Sequence, residues 1–206
     1  MRIVCISDTH RQHRRIQVPD GDVLIHAGDF CGRGTLAEVE DFNKWLGTLP
    51  HAECIVIAGN HDLPFEEAPE AARELITYAT YLEDSGIEID GIRFWGSPWQ
   101  PEFFNWAFNL PRGPALAEKW AMIPDGTDVV ITHGPPYGYG DLCFDGMTVG
   151  CADLLAALDR CGARLHVSGH IHEGYGVYER AGMKIVNAST CDFHYRPVNP
   201  AVIIDL

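Results

Sequence analysis

The chain has 206 residues, 46% of them hydrophobic and 21% charged, which is enough apolar material for one sizeable core and predicts a single domain over 1–206. With 15 Lys and Arg against 29 Asp and Glu the formal net charge is −14, a field that repels nucleic-acid backbones and anionic lipid headgroups and so argues against a nucleic-acid-polymer or membrane-surface binder. No apolar run approaches the roughly 20 residues of a membrane span, the opening residues lack the apolar stretch of a signal peptide, and seven cysteines without a C-x-x-C pair predict reduced thiols in a cytoplasmic protein.

Short β-branched runs ending in Gly, Ser or polar clusters predict strands, and stretches with helical spacing fall between them. The first strand, over Arg2–Ser7, is followed by Asp8 and His10, and the second, over Asp22–Ala27, runs into Gly28-Asp29. A helix is predicted over Thr35–Gly47, with Thr35 as N-cap and Gly47 as its stop. The third strand, Cys54–Ala58, leads into Gly59-Asn60-His61-Asp62, and a second helix is predicted over Glu66–Tyr78. Asp90-Gly91 turns a hairpin between residues 87–90 and 92–95. A helix over Pro114–Met122 precedes a strand over Asp128–Thr132 that ends at His133. A helix over Val149–Cys161, capped by Thr148 and stopped by Gly162, precedes a strand over Arg164–Ser168 followed by His170 and His172. Strands over Met183–Asn187 and Ala201–Leu206 close the series. Strand and helix alternate, which predicts an α/β architecture with layered sheets, and near-continuous apolar runs such as IVCI and IVIA suit strands covered on both faces.

The polar residues gather where strands end. In open α/β sheets ligands bind outside the carboxyl ends of strands, so five strands that each deliver metal-type side chains there predict one convergent site. Asp8, His10, Asp29, Asn60, His133, His170 and His172 are seven donors, too many for one four-coordinate zinc. One bridging carboxylate would let them hold two ions, with positions left for solvent and substrate. Mixed imidazole, carboxylate and amide donors suit Mn²⁺ foremost, with Fe, Zn or Co as alternatives.

Two ions about 3.5–4 Å apart suit phosphoester hydrolysis, because together they acidify a shared water and clamp the phosphate. Such ions also reverse the local sign of an acidic protein's field. His61 is the spare histidine, placed to protonate a leaving alkoxide, with Asp62 holding its tautomer and Asn60 helping to stabilise developing charge. The plainer reading of His61 is a hydrogen bond within its own loop.

Taken together, D-x-H (8–10), G-D (28–29), G-N-H-D (59–62), H (133) and G-H-x-H (169–172) resemble the calcineurin-like metallophosphoesterase superfamily. That resemblance implies a four-layer αββα sandwich of two β-sheets. It implies a first metal on Asp8, His10, Asp29 and His172, a second on Asp29, Asn60, His133 and His170, Asp29 as the bridge, and His61 as proton donor. The segments G-S-P-W-Q-P (96–101), F-N-L-P-R-G (108–113), H-G-P-P (133–136), N-A-S-T-C (187–191) and N-P-A-V-I-I-D-L (199–206) are similar to the metallophosphoesterase-domain-containing group. That group is similar in chemistry to class III cyclic nucleotide phosphodiesterases.

Further candidates carry a bland reading beside the functional one. The aromatic stretch 95–108 is either core or a wall for a substrate ring, and Trp99 and Phe103 are its best candidates for exposure. Arg112 either holds a phosphate oxygen or is a surface residue at a helix start. His26 and His166 are expected to support the metal-type residues rather than join them, and Asn187 and Ser189 either orient ligand groups or serve structure. His13, Arg14 and Arg15 are expected on a solvated loop.

The expected function is therefore a dinuclear metal-dependent phosphodiesterase hydrolysing small phosphoesters, cyclic nucleotides among them, by attack of a metal-bridging hydroxide. A phosphomonoesterase or protein phosphatase with the same site is the alternative, and a non-catalytic metal-binding scaffold is the rival from another class. No nucleic-acid polymer or membrane partner is expected.

Overall fold

The computed structural model describes residues 1–206. Thirteen strands and five α-helices follow one another as β1 Arg2–Ile6, β2 Val23–His26, α1 Leu36–Leu46, β3 Glu53–Val56, α2 Pro64–Glu67, α3 Pro69–Leu75, β4 Thr80–Tyr81, β5 Ser85–Ile89, β6 Ile92–Ser97, β7 Gln100–Pro101, β8 Asn109–Leu110, α4 Pro114–Ala121, β9 Val129–Thr132, α5 Ala152–Cys161, β10 Leu165–Ser168, β11 Gly176–Arg180, β12 Met183–Asn187 and β13 Val202–Asp205. One sheet has the order β13-β1-β2-β3-β4, parallel from β1 to β4 with β13 antiparallel at its edge. The other has the order β11-β12-β10-β9-β6-β5, parallel from β12 to β6 with an antiparallel strand at each edge.

Alternation along each strand builds the layers, because successive side chains point to opposite faces. On β1, Ile3 and Cys5 face β9, β10 and β12 through Val129, Ile131, Leu165, Val167 and Val186 in a core between the two sheets. Val4 and Ile6 face the other way, onto Phe42, Trp45 and Leu46 of α1 and Phe65 of α2. On the second sheet Val130 and Ile185 face outward onto Leu116 and Trp120 of α4 and Leu154 and Leu158 of α5. Three separate apolar layers thus lie among helix, sheet, sheet and helix, the expected four-layer αββα sandwich. No helix is long and apolar enough to cross a membrane.

Thr35 caps α1 as expected, in a full capping box with Glu38, and Gly162 ends α5 in the left-handed conformation. Three helix details differ. The stretch expected as one helix over Glu66–Tyr78 is two, because Pro69 lacks an N–H and forces Ala68 out of the helical region, to φ −143°. Its second half stops at Leu75. Helix α5 is capped by the Cys151 sulfur, which accepts from the Leu154 N–H, and not by Thr148, which pairs with Leu142 in a short bridge. Strands β4, β7, β8 and β11 have no counterpart in the expected series. β4, β7 and β8 are two residues each, too short for periodicity to show, and β11 is an edge strand without a buried face.

Candidate active site

The carboxyl ends of β1, β2, β3, β9 and β10 converge on one edge of the sandwich, so residues from positions 8 to 172 meet. The two sheets are tied there by hydrogen bonds: Thr190 donates its backbone N–H to the Ser7 carbonyl at 2.8 Å, and the His133 side chain donates from Nδ1 to the Ala27 carbonyl at 2.8 Å. Asp8, Asp29, Asn60 and His133 are buried, so their oxygen and nitrogen atoms must find partners among neighbouring protein groups or in a bound species.

Three groups bring ligand-type atoms within 4.8 Å of one another: Asp8 with His10 and His172, Asp8 with Asp29 and His133, and His10 with Asp29 and His61. His172 Nε2 lies 3.3 Å from Asp8 Oδ1 and 3.2 Å from His10 Nε2, and His133 Nε2 lies 3.4 Å from Asp29 Oδ2 and 3.0 Å from Asn60 Oδ1. Atoms about 2.1 Å from one ion and 90–109° apart are separated by about 3.0–3.4 Å, so these spacings suit shared cations. His170 stands at the margin, its ring 5.0 Å from that of His133 and 5.4 Å edge-on from Phe103, while its N–H donates to Asp8 at 3.0 Å.

The tautomers make the donor set a test of fit. His133 and His172 spend their Nδ1 protons on the carbonyls of Ala27 and Asp192, at 2.8 and 2.9 Å, so when neutral each turns an Nε2 lone pair toward a carboxylate oxygen. Lone pair against carboxylate is repulsive unless a positive charge lies between them. Against the burial that would lower them, Asp29 and Asp8 hold His133 and His172 up at about 9. Burial likewise opposes ionisation of the carboxyls, yet the imidazoles keep Asp8 and Asp29 well below the usual range. Burial pushes His10 down to about 4 and His170 to about 3. The cavity thus selects positive charge at two places and neutral imidazole elsewhere, which fits divalent cations.

Backbone strain concentrates here. Asp8, His10, Asp29 and His170 all have positive φ, at 53, 41, 59 and 65°, a region that residues with a Cβ rarely occupy. Two glycines permit the close approach: a Cβ on Gly59 would collide with Asp29 Oδ1, and one on Gly169 with Asp8 Oδ2 and Ser7 Oγ.

His61 lies over this floor, its Nε2 4.0 Å from Asp29 Oδ2 and its Nδ1 3.3 Å from the Gly32 carbonyl. Asp62 does not hold its tautomer. Both Asp62 oxygens turn into the backbone and accept the N–H groups of Asp29, Cys31 and Gly59, each at 2.8 Å, while burial and the Asp29 carboxylate raise it to about 7. The dipeptide adjacency suggested the pairing, but successive side chains in this turn point to different sides.

Trp99 and Arg112 are both engaged by other parts of the protein. The Trp99 indole donates to Asp84 at 3.1 Å and carries the Lys119 ammonium 4.5 Å above its ring, and Trp99 does not line the site cavity. Arg112 does line it, but its guanidinium donates to the carbonyls of Val149 and Gly150. Ser189 Oγ lies within hydrogen-bond distance of Asp8 Oδ2 at 2.9 Å and of Asn187 Oδ1 at 2.8 Å, while His26 pairs with Thr9 at 2.9 Å and His166 with Thr132 at 2.8 Å. His13 is buried rather than solvated, paired with Asp41 at 3.1 Å beside Phe42 and Trp45.

A cavity of about 560 Å³ opens from Asp29, Asn60, His61, His170 and His172 and runs outward past Phe103, Phe144, Met147 and Phe193. The Trp106 ring lies 4.1 Å from that of His61, tilted by 35°, and Tyr195 stands edge-on to His10 at 4.8 Å. Trp106 lies in the stretch singled out from the sequence, whereas Tyr195, Phe144 and Phe193 sit in turns with no periodicity to mark them.

Two sheets between helices, with a His- and Asp-rich floor at their shared edge, define a metal-dependent phosphoester hydrolase. The chain belongs to the calcineurin-like phosphoesterase family, whose model matches residues 1–174. It is 49% identical over 230 aligned residues to human metallophosphoesterase domain-containing protein 1, an alignment covering all of this chain and 71% of the human one. Solved structures share the fold at low identity. The TT1561 protein of Thermus thermophilus has TM-score 0.61 at 14% identity, covering 90% of this chain and 88% of its own. A structure described as a novel archaeal phosphodiesterase has TM-score 0.50 at 17% identity, covering 100% and 93%.

Proposed function

We propose that this chain is a dinuclear phosphodiesterase acting on small diesters, with Asp8, His10, Asp29 and His172 holding one divalent ion and Asp29, Asn60, His133 and His170 the other. Mn²⁺ is the favoured metal, on the mixed donor set. The ions supply Lewis acidity and an activated water at neutral pH. The chain's own groups do the rest: the Asn60 amide reaches the phosphate, and a doubly protonated His61 would keep its Nδ1–H on the Gly32 carbonyl, give its Nε2 proton to the departing alkoxide and be left neutral.

The observation that carries the diester preference is the absence of a free cation along the cavity. Arg112 is its one Arg or Lys and is spent on two carbonyls, while Glu102, Asp145 and Glu173 line the outer part. A monoester phosphate brings two negative charges into that setting, whereas a diester brings one and offers a second organic group to Phe103, Phe144 and Phe193. The same balance disfavours a phosphoprotein substrate with acidic flanks. Nucleotides remain within the class, because the aromatic walls accept any flat ring. All seven cysteines are free thiols, which supports a reducing, cytoplasmic setting for a single-domain enzyme.

The test compares bis(p-nitrophenyl) phosphate with p-nitrophenyl phosphate, using metal-stripped protein before and after adding Mn²⁺ and a His133→Ala control. Mn²⁺-dependent turnover favouring the diester and lost in the variant is expected. Preference for the monoester overturns the diester reading.

A further inference from the structure

We infer that Tyr195 is a positioning residue for His10, doing by packing what a hydrogen bond does for neighbouring imidazoles. The inference rests on the two-ion reading above. A metal-binding imidazole is ordinarily oriented by the partner of its other nitrogen. His133 and His172 follow that rule through the carbonyls of Ala27 and Asp192. His10 does not: its Nδ1 is buried without a hydrogen-bond partner. Two ring edges hold it instead, His61 at 4.7 Å and 82° and Tyr195 at 4.8 Å and 79°. Tyr195 also meets the His172 ring at 5.5 Å and 85°.

Tyr195 reaches this place at a conformational cost. Its φ is 58°, in the left-handed region disfavoured for a residue with a Cβ, and such outliers persist only where the surroundings over-determine them. Here the surroundings do so. The Tyr195 N–H donates to the Asp192 carbonyl at 2.8 Å, and Gln12 Nε2 donates to the Tyr195 carbonyl. The Asp192 carboxylate accepts the N–H groups of His194 and Arg196 at 2.9 Å each and Arg196 Nε at 2.7 Å. The Asp192 carbonyl is also the acceptor for His172 Nδ1, at 2.9 Å. A single turn therefore orients two imidazoles of the same proposed ion site, His172 through a carbonyl and His10 through a ring. That turn lies beyond residue 174, outside the segment matched by the family model.

The experiment titrates Mn²⁺ calorimetrically into metal-stripped wild-type, Tyr195→Phe, Tyr195→Ala and Tyr195→Leu proteins, and records the melting of each stripped protein. Wild type is expected to bind two ions, and Tyr195→Phe, which keeps the ring edge, to match it within about twofold. Tyr195→Ala and Tyr195→Leu are expected to weaken one site by about tenfold or more, leaving the other site and the stripped-state melting temperature nearly unchanged. If Tyr195→Ala does not fold, the Leu variant carries the comparison. Wild-type affinity at both sites in the Ala and Leu variants overturns the inference. So does a Tyr195→Phe variant as weak as Tyr195→Ala, which would assign the effect to the hydroxyl, or equal weakening of both sites with a lowered melting temperature. Fewer than two ions bound by wild type overturns the two-ion reading itself, and this inference with it.

Discussion

The Nε2 atoms of His10 and His172 face each other at 3.2 Å, although 162 residues separate them in the chain. The strands that deliver them, β1 and β10, belong to different sheets, so the contact exists only because the two sheets are stacked with their carboxyl ends at one edge. Both atoms are turned toward Asp8, at 3.9 and 3.3 Å.

Stability of the metal-stripped protein should depend on alkaline pH. His133 and His172 are raised to about 9 in the folded state, above the unfolded value of about 6.5. Their contribution is fully present below about pH 6.5 and is lost as pH rises through about 9, on the order of a few kcal/mol between them. Saturating Mn²⁺ replaces those protons, so melting temperature against pH should fall between these limits for the stripped protein and stay flat for the loaded one. Parallel curves would count against cation binding at these histidines.

Gly59→Ala should abolish activity while leaving most of the sandwich intact. The added Cβ would overlap the Asp29 carboxylate and crowd His133, so one of them must leave its place. A fall in turnover of about a thousandfold or more, with loss of at least one bound ion, is expected from displacing groups that act together. Calorimetric Mn²⁺ stoichiometry beside the rate measurement checks it.

His61 and Asp62 should separate cleanly. At saturating Mn²⁺, His61→Ala should still hold two ions, the site with His10 more weakly because that imidazole loses one of its two ring contacts, but lose about 10²–10⁴-fold in kcat on an alkyl leaving group, with a smaller loss on p-nitrophenolate, which departs without a proton. Asp62→Ala should unfold at distinctly lower temperature, because three backbone N–H groups lose their acceptor, at about 1–3 kcal/mol each. Equal kinetic losses on both leaving groups in His61→Ala would deny it the proton-donor role.

Arg112→Ala should raise KM by only a few-fold. Its guanidinium secures the carbonyls of Val149 and Gly150, so the change loosens the loop bearing Phe144 and Met147 rather than removing a phosphate contact. A loss of more than about a hundredfold in kcat/KM, or roughly 3 kcal/mol, would instead assign it a charge-assisted contact with substrate.

Trp99→Phe should leave KM and kcat within about twofold of wild type and lower the melting temperature. The substitution keeps the packing but removes the indole N–H that Asp84 accepts at 3.1 Å, a bond worth about 1 kcal/mol or more. A raised KM with unchanged stability would return Trp99 to the cavity wall.

Most of the longer strands, and the polar residues that follow them, were legible in the sequence. Apolar runs such as Ile3–Ile6 and Val129–Ile131 can be satisfied only by burial on both faces, and the polar residues that follow each run mark where a strand must stop. Periodicity is a local property, so β1, β2, β3, β9 and β10 were legible from it, and the polar residues that follow them singled out Asp8, His10, Asp29, Asn60, His133, His170 and His172 as candidate ligands. Tertiary structure decided what each remaining side chain faces. Adjacency suggested that Asp62 serves His61, but the turn sends the Asp62 carboxylate to three backbone N–H groups. An exposed-looking Trp99 is claimed by Asp84 and Lys119, and a phosphate-type Arg112 by two carbonyls. Tyr195 and Phe144, in turns without periodicity, reach the site only because distant segments fold over one edge. Such partnerships depend on direction and on contacts between segments far apart in the chain, which no local pattern encodes, because they come into being only when the two sheets pack.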